Sequence, residues 1–524
     1  METEVNSYKT AVERIRQEQL QRQAVDKSYD MKYKYKLTGA AALLGIILDV
    51  LFYEKSLGIN YPMFVILLVG FFHIANKEKI IRAGKMSYLM LASILLLSAT
   101  YAIFNNTVFA FFNFLLIPFL ICIYTLSITD TNYDVFRPRV VGDVFSRGIY
   151  HSFRCYFKPI EFVYDGISKR SREKASDNSM RRNILIGLGI SFLMLLILVP
   201  MLISADMAFK YYMKNLTGAF DGIDMGSMIS HGFIVIMTGL YFFAYTWSFK
   251  YPSEPARIQQ DIKSPLKLDE AAVLIILTVV NTLYLLFTVI QFSFLYAGAS
   301  SILPEGINYS EYARSGFFDL VKATAVNLAI ILGVMKLTKS PVLWKGGAVK
   351  GLLSLLVFFT VNLLFSAFFR MSLYESTYGF TELRLYVYIL ILFFFTVLFV
   401  TLLGIWLQRI PLVKSIMLIA LVFYLTVNYI NVEAVVARKN IERYYSTGTV
   451  DIEYLSTLSV DAVHEVYQLT KEKNSEISNE ATEAVYSRLK NISSEASVLE
   501  YNYFRSKAYR LMRILNMHSK PGSS

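Results

Sequence analysis

Four short segments of the 524-residue chain gather side chains that can do chemistry. One is Ser204-Ala-Asp206, and a second holds Glu311, Tyr312 and Arg314. A third runs from Arg370 to Arg384 through Tyr374, Glu375, Tyr378 and Glu382. The fourth, Asn431 to Arg443, carries Arg438 and Arg443. Arginine forks bind phosphate or carboxylate through paired charge-assisted hydrogen bonds. A carboxylate beside them can serve as a general base or a metal ligand. The same residue types also build ion-paired anchors that fix loop geometry and dock a neighbouring segment, and spacing does not choose between the two readings. Local patterns suggest how the segments are held: a capping box from Asn308 and Glu311, and an N-cap at Thr381 with Glu382 in the following first turn.

Other chemistries lack their residues. There is no glycine-rich nucleotide loop, no His/Cys cluster with metal-ligand spacing and no nucleophile elbow, so neither a cofactor nor a metal is expected. Cys122 falls in an apolar block and Cys155 in a basic loop, which argues against a structural disulfide. Isolated polar residues within apolar blocks read as structural. Lys322 is expected to pair with Asp319 one turn away, and Asp49 and His231 sit near block ends where their tips reach water. Asn281, Asn327 and Asn362 are placed for hydrogen bonds between helices.

The elements that must position these groups are membrane helices. The chain is 55% hydrophobic and 18% charged, and its apolar residues come in unbroken blocks about as long as a bilayer is thick. Eleven blocks stand out, near 37–53, 60–76, 86–104, 107–127, 183–203, 228–248, 271–296, 317–337, 351–370, 385–408 and 412–430. With the N-terminus in the cytoplasm, 33 of the 52 Lys and Arg fall in inner segments and 6 in outer loops, the bias that cytoplasmic loops show. An odd number of spans then puts the tail outside, together with all four polar segments. The net charge of +12 is absorbed by this asymmetry and does not call for nucleic acid.

The expected architecture is an all-α polytopic transmembrane helical bundle with a small helical extracytoplasmic domain. A polar cytoplasmic helix occupies 1–36, its helical core from Tyr8 to about Lys27. A four-span unit covers 37–127, a basic cytoplasmic loop 128–182, a seven-span unit 183–430, and a helical tail 431–524. The loop interleaves eleven Lys and Arg with Tyr150, Phe153, Tyr156, Phe157 and Phe162, which suits a segment lying on anionic lipid. Within the tail, Ser459 is placed to cap a helix carrying Val463, Val466 and Leu469. Further helices are expected around Ala481 to Leu489 and Val498 to Ile514.

The polar segments also carry a resemblance. Ser204-Ala-Asp206, the phrases from Glu311 to Phe318, Tyr378 to Tyr386 and Asn431 to Arg443, and the continuation from Asp451 to Ala462 together resemble a bacterial membrane-protein family, catalogued as domain of unknown function 4173, and the related 4153 group. The likeness extends from about residue 40 to 470. It implies a multi-pass protein of the bacterial inner membrane and assigns no reaction. Three functions stand open: an envelope sensor or assembly factor whose tail meets an envelope protein, an enzyme acting on a lipid-linked substrate at the outer leaflet, and a secondary transporter. A transporter usually shows broken-helix or ionisable midplane sites in related halves, which this sequence does not display.

Overall fold

The structure is a computed structural model. It describes residues 31–78, 80, 84–130, 133–137, 139–162, a few positions between 191 and 212, 225–251, 269–291, 316–337, 347–407, 409–490 and 497–518. Every regular element among the described residues is helical. The chain divides into two compact units, Met1–Leu91 with Pro118–Pro255, and Ala92–Ile117 with Ala256–Ser524.

Ten of the eleven apolar blocks coincide with a helix. Among the described residues eight helices are long and apolar enough to cross a membrane. Asn60–Ala75 is shorter, and Leu412–Asn428 forms a pair with Val432–Thr447 bent by 62°. The block at 183–203 lies outside the described residues, as do the N-terminal helix at 8–27 and the Asn308–Glu311 capping box. The chain is thus an all-α polytopic membrane protein with a helical C-terminal lobe.

The first unit holds α1 (Met31–Phe52), α2 (Asn60–Ala75), the start of α3 (Lys85–Ile103), the end of α4 (Thr107–Thr129) and α7 (Met225–Lys250). Between α4 and α7, α5 (Val140–Phe145) continues through a π turn, Ser146–His151, into α6 (Ser152–Arg154). Lipid supplies no hydrophobic force between helices, so membrane helices associate where small residues let backbones approach. Here α1 meets α7 through glycine: a Cβ on Gly45 would lie 2.6 Å from the Val235 carbonyl, and one on Gly239 would lie 3.3 Å from that of Ala41. Leu37, Ala41, Leu44, Phe243 and Trp247 are buried around this contact. Asp49 and His231 do not simply reach for water. His231 Nδ1 and Asp49 Oδ2 are 2.6 Å apart across the same helix pair, because a carboxylate at a span end is stabilised more by a partner than by partial hydration.

In the second unit, α8 (Glu270–Gln291), α9 (Phe317–Leu337), α10 (Ala348–Tyr378) and α11 (Glu382–Trp406) pack around Leu277, Ile331, Leu353, Leu356, Leu363 and Leu398. Amides within the helices tie them together. Asn281 Nδ2 donates to the Leu352 carbonyl at 3.1 Å, Asn327 Nδ2 to Thr360 Oγ1 at 3.0 Å, and Asn362 Nδ2 to Thr288 Oγ1 at 3.4 Å. Lys322 and Asp319 pair at 3.0 Å.

α12 (Leu412–Asn428) then bends into α13 (Val432–Thr447), which opens the C-terminal lobe of α14 (Ile452–Thr457), α15 (Val463–Val466), α16 (Ser475–Lys490) and α17 (Tyr503–His518). The lobe has its own core, including Val436, Ile441, Leu455, Leu469, Val485 and Leu489. Ser459 is not the cap of α15: Ala462 holds that position. The Ser459 N–H instead donates to the buried carboxylate of Glu433 at 2.5 Å, which draws the serine out of the helical turn. Cys122 and Cys155 are both free and buried.

Candidate functional site

The segment 370–384 is not a loop. α10 runs on to Tyr378 and stops at Gly379, whose φ of 78° is open to glycine and strained for other residues. Three residues then lead into α11. Thr381 stands at the N-cap with extended backbone, but its side chain makes no capping bond. The Glu382 N–H donates instead to the Tyr454 hydroxyl of the lobe at 3.0 Å, so a tertiary acceptor takes the place of the local one.

This sharp turn is read by α13. Asn440 Oδ1 accepts from the Phe380 N–H at 3.0 Å, and its Nδ2 donates to the Phe380 carbonyl at 2.8 Å. One amide thus satisfies both backbone groups of a residue that belongs to no helix. The fit is close, because a Cβ on Gly379 would lie 2.6 Å from Asn440 Oδ1 and 3.3 Å from Arg443 Nη1. From the other side Arg384 donates to the Gly379 carbonyl, and its guanidinium lies 4.4 Å from the centre of the Tyr374 ring. Tyr374 in turn meets Tyr378 at 4.8 Å between ring centres. Glu375 is hydrogen-bonded by the Tyr388 hydroxyl.

The structure therefore brings Tyr374, Glu375, Tyr378, Glu382, Arg384 and Arg443 to one turn, and it separates the others. Arg370 lies two turns back along α10, beside Gly316 at the foot of α9; a Cβ there would be 3.0 Å from its Nη1. Arg438 is paired with Glu465 at 2.8 Å on the lobe surface. Asp206, in the first unit, accepts from the Ala208 and Phe209 N–H groups at 2.6 and 2.9 Å, as a cap does. Glu311, Tyr312 and Arg314 lie outside the described residues. Among the described residues no three His, Cys, Asp or Glu side chains group as metal ligands. Arg384 and Arg438 already serve acceptors of the protein itself.

A second polar centre was not singled out from spacing. The turn between α3 and α4 presents Asn105 and Asn106 to the lobe. Asp461 Oδ2 accepts from the Asn105 N–H at 2.8 Å and Oδ1 from its Nδ2 at 2.9 Å. Asn502 Nδ2 donates to the carbonyls of Tyr101 and Phe104 at 2.9 and 3.0 Å, where α3 ends with those acceptors unused by its own helix. Glu433 accepts from Asn106 Nδ2 at 3.2 Å, and Arg505 donates to Asn105 Oδ1 at 3.2 Å. Asp461 is 3% exposed. Burial, with the Glu433 carboxylate nearby, pushes its pKa up to about 6 against the pull of the Asn105 bonds and Arg505. A half-open pocket lies beside it, between the α3–α4 turn and the bend of α12 into α13, lined by Thr100, Asn106, Asn428 and Asn431 among others. The visible clues were paired asparagines between two apolar helices, and the two carboxylates within the segments 431–443 and 451–462.

The profile of the family described as a domain of unknown function (DUF4153) matches residues 91–469. No curated protein and no solved structure matches the chain. The matched stretch takes in the α3–α4 turn, the Gly379 clasp, Glu433 and Asp461, and it ends before Asn502 and Arg505. Since it covers more than half of the sequence, the chain belongs to the DUF4153 family.

Proposed function

We propose that this protein is a multi-pass protein of a bacterial inner membrane, with about eleven spans and a cytoplasmic N-terminus. It acts as an envelope sensor or assembly factor through its extracytoplasmic helical lobe, and within its family it stands near the 4173 group. The observation that carries this reading is the commitment of the polar groups. The Asn105–Asp461–Asn502 bonds and the Asn440–Phe380 pair hold the lobe against helix ends, and Arg384 and Arg438 are spent on protein acceptors. An enzyme or transporter would aim such groups at a shared cavity. On this reading Arg370, Tyr374, Glu375, Tyr378, Glu382, Arg384, Arg438 and Arg443, with Asp206, Glu311, Tyr312 and Arg314, shape an outward surface that meets an envelope protein. Positively biased inner loops support the orientation.

The test is alanine at Arg384, Glu382 or Tyr374, followed by the amount of folded protein in the membrane and by its cross-linked neighbours in intact cells. A clasp predicts reduced lobe docking and altered cross-links together. Loss of a catalytic turnover on a lipid-linked substrate, with lobe docking unchanged, supports the enzyme instead. Substrate-dependent flux in proteoliposomes supports the transporter.

A further inference from the structure

The segment 139–162 has two unlike faces. Val144, His151, Ser152 and Cys155 are buried. On the other side Val141, Phe145, Ile149, Phe153 and Phe157 stand between 49% and 64% exposed. In a regular α-helix, positions four apart drift by about 40° per step. The π turn Ser146–His151 winds more slowly and takes that drift back, so a stripe spaced by four stays on one face.

The buried face records depth. Cys122 lies seven residues before the end of α4 at Thr129, about 10 Å along the helix axis at 1.5 Å per residue. A Cβ on Gly148 would touch its sulfur at 3.9 Å, and the Val144 carbonyl accepts from the Cys122 thiol at 3.8 Å. The Tyr241 hydroxyl, nine residues before the end of α7, donates to the Gly148 carbonyl at 3.0 Å. Further on, the Tyr156 hydroxyl donates to the Met237 carbonyl at 2.9 Å, thirteen residues before that end. The chain then climbs back: Phe162 packs on Trp247 at 5.0 Å between ring centres and takes Lys34 over its face at 4.6 Å. Arg147 reaches the other way and donates Nη1 to the Ser248 carbonyl near the end of α7 at 3.0 Å, as a cation does when its backbone is deeper than its charge.

We propose that residues 139–162 form a re-entrant element that dips into the bilayer beside α4 and α7 and returns to the same side, with its aromatic stripe against lipid acyl chains. A segment lying flat on headgroups would contact only the last turn of each neighbouring span. This one follows α7 inward from Ser248 to Met237 and back. Helical bonds and the Tyr241 hydroxyl serve its backbone carbonyls, as membrane depth requires. Acyl chains fit the stripe because its residues are large, apolar and level with the spans. The inference rests on the chain being membrane-embedded and not on which side faces the cytoplasm.

The test uses the full chain with Cys122 and Cys155 replaced by alanine, in nanodiscs of phosphatidylcholine with a minor share of phosphatidylglycerol. Spin labels go to cysteines introduced singly at Val141, Ile149, Phe153 and Ile160. The ratio of oxygen to aqueous nickel collisions is expected to rise several-fold from 141 to 153 and to fall again at 160. Equal, shallow ratios at all four positions would overturn the proposal in favour of a surface helix. Ratios dominated by nickel would overturn it in favour of a water-facing or protein-facing loop. Should the labelled chains fail to assemble, hydrogen exchange of the unmodified protein in the same discs decides. Amides of 145–157 exchanging as slowly as the middle of α7 support the dip, and exchange as fast as the exposed turn at 448–450 overturns it. The depth profile is the same for either orientation, so its failure is distinct from a failure of the proposed topology.

Discussion

At the scale of single residues, the informative groups are those whose polar atoms have been taken from water and given protein partners. Asp461 binds its proton more tightly in the folded lobe than in an unfolded chain, with a pKa near 6 against 3.8. Between those values the folded state carries a proton that the unfolded state lacks, so this group's contribution to stability is greatest below about pH 4 and is lost as pH rises through 6. The span corresponds to about 3 kcal/mol. Asp461→Asn is expected to flatten this part of the profile, read as hydrogen exchange of 497–518 or thermal stability between pH 4 and 7. A profile unchanged from the wild type would show that another group titrates. Asn440→Ala strips Phe380 of both backbone partners and is expected to cost about 1–3 kcal/mol. Limited proteolysis at 379–381 should report it. Gly379→Ala should be at least as damaging, since it combines a positive φ with a Cβ 2.6 Å from Asn440 Oδ1.

At the scale of elements, two contacts decide where helices begin, end and touch. α1 and α7 approach through Gly45, whose hydrogen faces the Val235 carbonyl. Gly45→Ala should force the pair apart at a cost of about 1–3 kcal/mol, as overpacking does. Gly39→Ala, on the same helix with no heavy atom within 4 Å, is the control, and thermal inactivation in detergent compares them. α10 overruns its apolar block by two turns, and its polar end meets the start of α11 through Tyr374 with Arg384 and Glu375 with Tyr388. α12 and α13 read in the sequence as a span followed by a tail, and in the structure they form one bent pair. The bend falls at Tyr429–Asn431, and Asn431 caps the second helix by accepting from the Ala434 N–H at 3.1 Å.

At the scale of the whole molecule, the question is sidedness. A single cysteine at Ser475, an exposed position at the head of α16, should react with an impermeant maleimide in intact cells if the lobe is extracytoplasmic. The native cysteines are buried and add little background. Labelling that appears only after lysis would move the lobe to the cytoplasm. Parity turns on Asn60–Ala75, only 16 residues long, and on the block at 183–203. Within the second unit the described contacts join the lobe to membrane helices at the α3–α4 turn and the Gly379 turn, besides the α12–α13 bend itself. Asn105→Ala is expected to loosen the first while leaving the second, so that exchange rises around 497–518 and stays unchanged at 379–381.

The sequence by itself determined that this is an all-helical membrane protein, and roughly where its helices lie. Bilayer insertion is governed by summed hydropathy over a window, a property local in the chain. The midspan amides were legible for the same reason, since an asparagine in lipid must find a neighbour. What only the tertiary structure decided is which polar groups meet. Asn105 and Asp461 are 356 positions apart, and nothing local in either predicts the other. Arg370, Arg384, Arg438 and Arg443 looked alike as spacings, yet the fold sends them to a helix foot, a turn carbonyl, a surface ion pair and the edge of the Asn440 clasp. Hydrogen bonds and ion pairs act over a few ångströms, so their partners are set by packing, which composition and periodicity do not encode.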